Sequence, residues 1–229
     1  MVESSWIDNV SKNFNFKRRL MKIPKYLKKV RKVQIKVSEL LAFEDQVKKH
    51  YEDSLIKAPV HLSRGNEKEL LKIFEYVHPE DWVFSSWRNH YHALLHNVNP
   101  DNLFQDIIDG RSMSINYIEP KFYTSSIVGG IIPIALGVAK AQKLRKSNKR
   151  VWCFIGDMTF ETGTFYEAYK YATNFDLPLQ FVVEDNSLST NTPTSETWGN
   201  KKKEVPDDII YYKYDRGFPH HGTGNWVLF

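Results

Sequence analysis

The sequence predicts an α/β fold: a parallel sheet with helices on both of its faces. In the segment 151–186, a short apolar run ending at Gly156 precedes apolar residues at helical spacing, and a second apolar run follows at 179–183. A strand, a crossover helix and a strand of this length form a βαβ unit, so we expect the two strands to be parallel neighbours. Further helices are predicted from Ser38, where the pattern is amphipathic, and over 131–141, where it is apolar.

Two polar side chains follow the carboxyl ends of the predicted strands. Asp157 comes directly after the first strand, and Asn186 follows the second. Because ligands of parallel sheets bind beyond the carboxyl ends of the strands, we expect both side chains at one edge. A carboxylate, a carboxamide oxygen and a nearby backbone carbonyl suit Mg²⁺, and the N–H groups of the turn and the next helix favour phosphate. The spacing alone also fits an ordinary parallel sheet with a Gly-Asp turn and a polar strand end.

The composition predicts one large domain of a cytoplasmic protein. A chain of 229 residues with 41% hydrophobic residues can bury a sizeable core but leaves little room for a second domain. The sequence has no apolar run of membrane-spanning length and no secretory signal. A lone cysteine, Cys153, cannot form an internal disulfide and is typical of a reducing compartment.

The positive charge is concentrated near the N-terminus. Residues 17–36 hold ten Lys or Arg and no acid, whereas the net charge of the whole chain is only +5, so the rest is acidic overall. We therefore predict a basic N-terminal extension, residues 1–34, and a domain of residues 35–229. Part of the extension has the spacing of an amphipathic helix interrupted at Pro24. The extension could contact a membrane surface, but we favour an extension that is solvated or docked on an acidic partner. Binding to nucleic acid is not expected.

Four segments of the sequence carry recognisable motifs. Gly156-Asp157 is followed by the acidic residues before Asn186, the sequence APVHLSRGNE lies at 58–67, and two further segments lie at 81–90 and 109–133. The first motif resembles the GDG…NN signature of thiamine enzymes. The others are similar, in order, to the HL…GQE, YR.H and GRSMHM…GIVGAQVP stretches of the alpha subunits of the thiamine diphosphate-dependent 2-oxo acid dehydrogenases of the pyruvate and branched-chain types. This resemblance implies the thiamine diphosphate-binding fold.

The resemblance also implies the cofactors, thiamine diphosphate and Mg²⁺, and the residues that hold them. It assigns the metal to the side chains of Asp157 and Asn186 and to the backbone carbonyl of Leu188. An arginine can bridge phosphate oxygens with two N–H groups, and an indole N–H can donate beside it. The implied cofactor-binding residues are Trp87 and Arg88 at the diphosphate, Ser126 and Val128 at the aminopyrimidine, and Gly156, Asp157, Met158, Thr159 and Asn186 around the strand ends. The catalytic candidates are His61, His90, His220 and His221.

The implied function is that of an alpha-type subunit that decarboxylates a 2-oxo acid, such as pyruvate, and transfers the acyl or aldehyde unit to an acceptor. In the family, the activating glutamate comes from a beta-type subunit, and the resembling segments offer no substitute. A heterotetramer with such a partner is therefore expected, with thiamine supplying the electron sink.

The sequence departs from the family pattern at several positions. Met158 stands where the family has glycine, Asn66 replaces a glutamine, and Ser126 stands where glycine is frequent. The chain ends at Phe229, where family alpha subunits continue, which suggests a C-terminally shortened subunit that serves an acceptor other than a lipoyl domain. Two alternatives stay open: a split transketolase N-terminal subunit that transfers two-carbon units between sugars, and a non-catalytic, degenerate subunit that supports a partner.

Overall fold

The computed structural model describes residues 21–199 and 204–228. The helices in this part of the chain are α1 (Val37–Glu52), α2 (Glu67–Phe74), α3 (His90–Leu95), α4 (Pro100–Ile108), α5 (Ile131–Leu144), α6 (Asp157–Phe160), α7 (Gly163–Asn174) and α8 (Thr194–Trp198). The strands are β1 (Trp82–Ser85), β2 (Asn116–Tyr117), β3 (Phe122–Thr124), β4 (Val151–Gly156), β5 (Leu179–Asp185), β6 (Leu188–Ser189), β7 (Thr192–Pro193) and β8 (Ile210–Lys213).

A six-stranded sheet forms the centre of the molecule, with the strand order β2-β3-β1-β4-β5-β8. All neighbouring pairs are parallel except β2 and β3, which are antiparallel. The strands β4 and β5 are joined through α7 and pair in parallel from Val151 opposite Leu179 to Gly156 opposite Glu184. The βαβ unit predicted from the sequence is therefore confirmed.

Alternate residues of the central strands belong to two separate hydrophobic clusters, because successive side chains of a strand point to opposite faces. Trp152 and Phe154 of β4 pack with residues of α1–α4, while Cys153 and Ile155 pack with residues of α5, α6 and α7. Both faces of the sheet are thus covered by helices, as predicted. Cys153 is fully buried, and burial raises the pKa of its thiol, as expected for a core residue.

Local sequence signals explain where several helices begin and end. Asn99 accepts hydrogen bonds from two amides of the first turn of α4, which has Pro100 at its first position. Thr162 accepts the amide of Phe165 at the start of α7. Pro178 follows α7 and cannot donate a helical hydrogen bond, so the chain turns there into β5.

Residues 21–36 form no helix, so the expectation of an amphipathic helix is wrong for this stretch. Pro24 accepts the amide of Leu27 in a turn, and the amide of Val30 bonds the carbonyl of Glu75. Leu27 is buried in the core, because these tertiary contacts replace the local helical ones. The proposed boundary between residues 34 and 35 stays a prediction, and residues 1–20 lie outside the described part of the chain.

Asp81 joins the start of β1 to the start of β4, and its replacement is expected to destabilise the fold strongly. Its buried carboxylate accepts the amides of His78 and Arg150 and the indole N–H of Trp152, at 2.8–2.9 Å. Asp81→Ala leaves these donors without an acceptor, and we expect the free energy of unfolding to fall by about 3 kcal/mol. Urea denaturation measures the change. The control Glu80→Ala removes an exposed ion pair and should cost less than about 1 kcal/mol; equal effects would contradict the role of Asp81.

Candidate functional site

The carboxyl ends of the parallel strands meet at one edge of the sheet, and the predicted site residues follow these ends. After β1 the chain continues into α3 and α4 on one face, whereas after β4 it continues into α7 on the other. A crevice is expected at such a reversal, between the ends of β1 and β4. Trp87 and Arg88 follow β1, Ser126 and Val128 follow β3, Asp157 follows β4, Asn186 follows β5, and the segment with His220 follows β8.

The metal-binding candidates lie on the side of β4 and β5. Asp157 begins the short helix α6 and is only 2% exposed. The side-chain oxygen of Asn186 accepts the amide of Leu188 at 3.0 Å, and its amide nitrogen lies 3.4 Å from the hydroxyl of Tyr214. Leu188 opens the hairpin of β6 and β7, half-buried beside these groups. The three proposed oxygen donors thus come from the ends of adjacent strands.

Among the described residues, no three His, Cys, Asp or Glu side chains are grouped so that they could hold a metal ion. A metal at this edge would therefore need carboxamide, main-chain or water oxygens in addition to a carboxylate. Such a set of hard oxygen donors is typical of Mg²⁺, which keeps several waters and shares phosphate oxygens. The donor chemistry of Asp157, Asn186 and the Leu188 carbonyl fits that ion.

On the other side of the crevice, His61, Trp87, Arg88 and His220 form a group that we call the His61 cluster. The ring of His61 lies 5.0 Å from that of Trp87 and 4.9 Å from that of His220, and the rings of Trp87 and His220 are 5.2 Å apart. Arg88 donates from Nη2 to the carbonyl of His220 at 3.0 Å. Residues that are far apart in the sequence thus converge on one place.

The His61 cluster is poor in compensating negative charge. Burial, and after it the charge of Arg88, lowers the pKa of His61 to about 3 and that of His220 to about 4. Three buried polar atoms of the cluster have no hydrogen-bond partner among the residues that the structure describes: Nδ1 of His61, Nε of Arg88 and Nδ1 of His220. Buried polar groups are normally bonded, so these atoms indicate a place for a polar or anionic ligand.

A second guanidinium lies near this cluster. The pKa of Arg216 is lowered by burial and then by the charge of Arg88, and Arg216 also contributes to lowering the pKa of His220. Arg216 donates to the carbonyl of Thr190 and to the side chain of Asn191, so it connects the segment after β8 with the hairpin that carries Leu188. Arg216 could not be predicted from the sequence, because nothing in its local pattern distinguishes it from a surface arginine.

The loop after β3 completes the crevice opposite α6. The indole N–H of Trp87 donates to the carbonyl of Ser126 at 2.7 Å, so in this conformation both groups are engaged with each other. Gly129 has a φ of +76° and lies next to the methyl group of Thr159. Ile127 and Val128 point outward, with exposed fractions of 70% and 56%. The loop thus has a polar inner side and an apolar outer side.

The remaining candidates differ in how close they come to the crevice. His90 is fully buried behind the loop at 112, where its Nε2 lies 2.8 Å from the hydroxyl of Ser112, and burial lowers its pKa to about 4. His221 is exposed, with its ring 5.8 Å from that of His220. Met158 has helical backbone in α6, and its sulfur accepts the indole N–H of Trp198. Gly156 faces open space, where an added Cβ would meet no atom within 4 Å.

The segment after β8, residues 214–228, packs on the turn that carries His61. The amide of Gly217 bonds the carbonyl of Arg64, and the amide of Gly222 bonds that of Val60, both at 2.8 Å. At Gly65, with a φ of +117°, an added Cβ would lie 2.2 Å from the carbonyl oxygen of Asp215. Glycine is therefore required for this close approach, which brings His220 to His61.

Two further carboxylates near the site, one half-buried and one fully buried, have contacts that the sequence did not predict. Glu184 accepts from Tyr212 in a short hydrogen bond, and from Asn66 at 3.2 Å, and lies 3.2 Å from Nε2 of His92. Glu44 of α1 is bonded to the turn that follows His61. The sequence feature that could have revealed Glu44 is an acidic residue on the apolar face of a predicted helix.

None of the described helices is both long and apolar enough to cross a membrane.

Residues 36–204 match the sequence model of the family described as "Dehydrogenase E1 component". The alpha subunit of the acetoin:2,6-dichlorophenolindophenol oxidoreductase of Bacillus subtilis (strain 168) is 29% identical over an alignment of 168 positions, which covers 69% of this chain and 50% of that protein. The pyruvate dehydrogenase E1 component alpha subunit of Rickettsia bellii is 28% identical over 69% of this chain and 52% of its own length.

A similar protein from Rickettsia typhi, with the same name, is 28% identical over 76% of this chain and 58% of its own length. The chain thus spans about half the length of the curated relatives that it matches. The matched region contains the ends of β1, β3, β4 and β5 and the turn with His61. The resemblance found in the sequence is confirmed: the chain belongs to the dehydrogenase E1 component family.

Proposed function

We propose that the chain is the alpha-type subunit of a thiamine diphosphate- and Mg²⁺-dependent enzyme that decarboxylates a 2-oxo acid, such as pyruvate, and passes the acyl or aldehyde unit to an acceptor. The observation that carries this proposal is the convergence of two groups at the carboxyl ends of β1 and β4. One is the buried carboxylate of Asp157, and the other is the His61 cluster, which has buried polar atoms without a hydrogen-bond partner among the described residues. A metal–diphosphate group has the charge pattern that this arrangement requires.

In this proposal, Asp157, Asn186 and the carbonyl of Leu188 hold Mg²⁺. Arg88 binds diphosphate oxygens through its free Nε, while its Nη2 stays bonded to His220. The amides at the start of the turn 156–159 would add N–H donors for the phosphates. Met158 in place of glycine is compatible with this role, because its backbone is helical and needs no positive φ.

When bound, thiamine diphosphate supplies the nucleophilic carbon and the electron sink for the decarboxylation. The chain's own contribution at the substrate comes from His61 and His220. Their lowered pKa values keep both imidazoles neutral near pH 7, so each can donate an N–H to a substrate oxygen or accept a hydrogen bond from it. His221 lies at the exposed side, where an incoming acceptor would pass. The backbone of Ser126 and Val128 would hold the aminopyrimidine, and His90 supports the loop at Ser112.

A beta-type subunit is the proposed partner, and it supplies the activating glutamate. The apolar outer side of the loop after β3 supports this, because Ile127 and Val128 are among the most exposed large apolar side chains of the described residues and lie beside Trp87 and Ser126. Ile134, in the first turn of the following helix α5, is also exposed, at 41%. Contiguous exposed apolar side chains are typical of protein interfaces, and a heterotetramer would bury them.

The function is tested by assaying the chain co-expressed with a beta-type subunit from the same organism. We expect carbon dioxide release from pyruvate or another 2-oxo acid that depends on thiamine diphosphate and Mg²⁺. An Arg88→Lys variant should have at least about tenfold lower cofactor affinity, because the ammonium of lysine lacks the planar fork that can bond the carbonyl of His220 and the diphosphate at the same time. Release of a two-carbon unit from a ketose phosphate, without 2-oxo acid turnover, would support the transketolase alternative. Unchanged activity in Asp157→Asn and Arg88→Lys would support a non-catalytic, supporting subunit.

A further inference from the structure

Glu44 is a fully buried acid in the middle of the apolar face of α1. It has no exposed surface and shares its face with Leu40, Phe43 and Val47, which pack in the core. Burying a carboxylate is costly unless donors surround it. Its position therefore calls for a specific set of hydrogen bonds, which the turn after His61 provides.

The carboxylate of Glu44 binds this turn together with Tyr91 and Glu67. Glu44 accepts the amide of Ser63 at 2.6 Å, the amide of Arg64 at 3.2 Å and the hydroxyl of Tyr91 at 2.7 Å. The same hydroxyl lies 3.3 Å from Glu67, which accepts the amide of Gly65 at 2.8 Å. Two carboxylates joined by one tyrosine thus bind three successive amides.

The turn 63–65 connects both halves of the His61 cluster. His61 precedes it by two residues, and the carbonyl of Arg64 accepts the amide of Gly217 from the segment that carries His220. The guanidinium of Arg64 also lies over the ring of Phe218, 5.0 Å from its centroid. A shift of this turn would therefore move His61 and loosen the contact that places His220.

We propose that Glu44 is a positioning residue for the ligand site. By binding the amides of the turn 63–65 and the hydroxyl of Tyr91, it fixes His61 and His220 relative to Arg88 and so sets the affinity for the diphosphate ligand. This inference rests on the proposed function for the identity of the ligand, but not for the role of Glu44 in the turn.

The charge state of Glu44 can be followed separately from the histidines. The charged and titratable groups that face it are Arg64 of the turn, Tyr91 of α3 and Glu67 at the start of α2, and Asp45 of its own helix pairs with Arg64. Burial raises the pKa of Glu44 to about 7, although the bonds to Ser63, Tyr91 and Arg64 oppose this. His61 and His220 are already neutral near pH 7, because their pKa values lie at about 3 and 4.

Protonation of Glu44 weakens its hold on the turn. The ionised carboxylate accepts from all three donors, whereas the protonated acid must turn one oxygen into a donor and so loses acceptor capacity. The turn is thus held more firmly above pH 7 than below it. Ligand affinity should rise with pH through this range in the wild-type protein. A variant without the carboxylate should keep the lower affinity throughout.

The first test is hydrogen exchange of the ligand-free full chain, measured by mass spectrometry on peptides covering 60–67 and 214–224. In Glu44→Gln, one amide donor of the turn faces an NH₂ group instead of an oxygen, and we expect about tenfold faster exchange in both peptides. Tyr91→Phe keeps Glu44 but removes a hydroxyl that Glu44 accepts, so the exchange rate of both peptides should increase less than in Glu44→Gln. If Glu44→Gln does not fold, Tyr91→Phe tests the proposal in its place. The control Glu69→Gln removes a charge from the neighbouring helix and should change neither peptide.

The second test is the affinity for thiamine diphosphate with Mg²⁺ between pH 6 and 8, measured on the complex with the beta-type subunit. We expect the wild-type affinity to increase through about pH 7 relative to Glu44→Gln, with about a tenfold difference at pH 8. Unchanged exchange and identical pH profiles would overturn the proposal. If no variant binds the cofactor, the proposed function is wrong, while the exchange rates still decide whether Glu44 holds the turn.

Discussion

Asp157→Asn is expected to abolish the Mg²⁺-dependent binding of thiamine diphosphate while leaving the fold intact. The substitution keeps the shape of a side chain that is 2% exposed and removes its charge at the end of β4. Loss of one charged partner from a desolvated site costs about 3–4 kcal/mol, which corresponds to a loss of affinity of several hundredfold. At a cofactor concentration near the Kd of the wild-type complex, ligand-induced stabilisation should therefore disappear.

Thermal denaturation of the complex with the beta-type subunit, with and without thiamine diphosphate and Mg²⁺, measures this effect. Asp176→Asn is a suitable control, because Asp176 is an exposed acid between α7 and β5, at the opposite end of these strands. It should show the wild-type increase in melting temperature on adding the cofactor. If Asp157→Asn showed the same increase as the wild type, the metal would not be bound at the end of β4.

Gly65→Ala is expected to cause the largest loss of stability among the glycine substitutions, and to detach the segment 214–228 from the turn that carries His61. The residue has a φ of +117°, and the new methyl group would lie 2.2 Å from the backbone oxygen of Asp215, which cannot move like a flexible side chain. Backbone strain of about 1–3 kcal/mol adds to a similar cost of displacing the neighbouring chain. We therefore expect the free energy of unfolding to fall by about 3 kcal/mol or more.

Urea denaturation measures the global change, and hydrogen exchange of a peptide covering 214–224 measures the local one. The matched control is Gly137→Ala in α5, where an added Cβ meets no atom within 4 Å. Because alanine is the better helix former, this control should stabilise the isolated chain by up to about 1 kcal/mol. Wild-type stability of Gly65→Ala, or unchanged protection of the 214–224 peptide, would show that the close approach to Asp215 has no structural importance.

Sequence periodicity predicted the elements whose stabilising contacts are local or repeat along the chain. The βαβ unit over 151–185 is an example, because its strands are continuous apolar runs and its helix ends before Pro178. The stretch 21–36 shows the limit of such reasoning. Apolar residues at helical spacing were present, but Pro24 and the hydrogen bond between Val30 and Glu75 favour an irregular path along the domain.

The candidate site was predictable where residues follow strand ends or match a family pattern, as for Asp157, Asn186, Arg88 and His61. The convergence of His220 on His61 was not, since the path of the segment after β8 depends on close contacts between distant glycines and backbone carbonyls. The roles of these residues remain proposals.

Other contributors to the site were overlooked for a different reason. Arg216 bonds residues of the β6–β7 hairpin, and such contacts between separate loops leave no periodic trace in a sequence. Glu44 can be noticed in the sequence, because it interrupts the apolar face of a helix and a charged residue at such a position requires specific partners. Acids that interrupt an apolar helical face are therefore worth examining as supports of a nearby site.

The most direct measurement of the central claim is a calorimetric titration of thiamine diphosphate into the chain, alone and in complex with a beta-type subunit, in buffers with Mg²⁺ and with a chelator. We predict one site per alpha-type chain in the complex, with binding that is lost in the chelator and much weaker in the chain alone. Absence of binding to the complex in Mg²⁺, or equal binding in the chelator, would contradict a metal–diphosphate site between Asp157 and the His61 cluster.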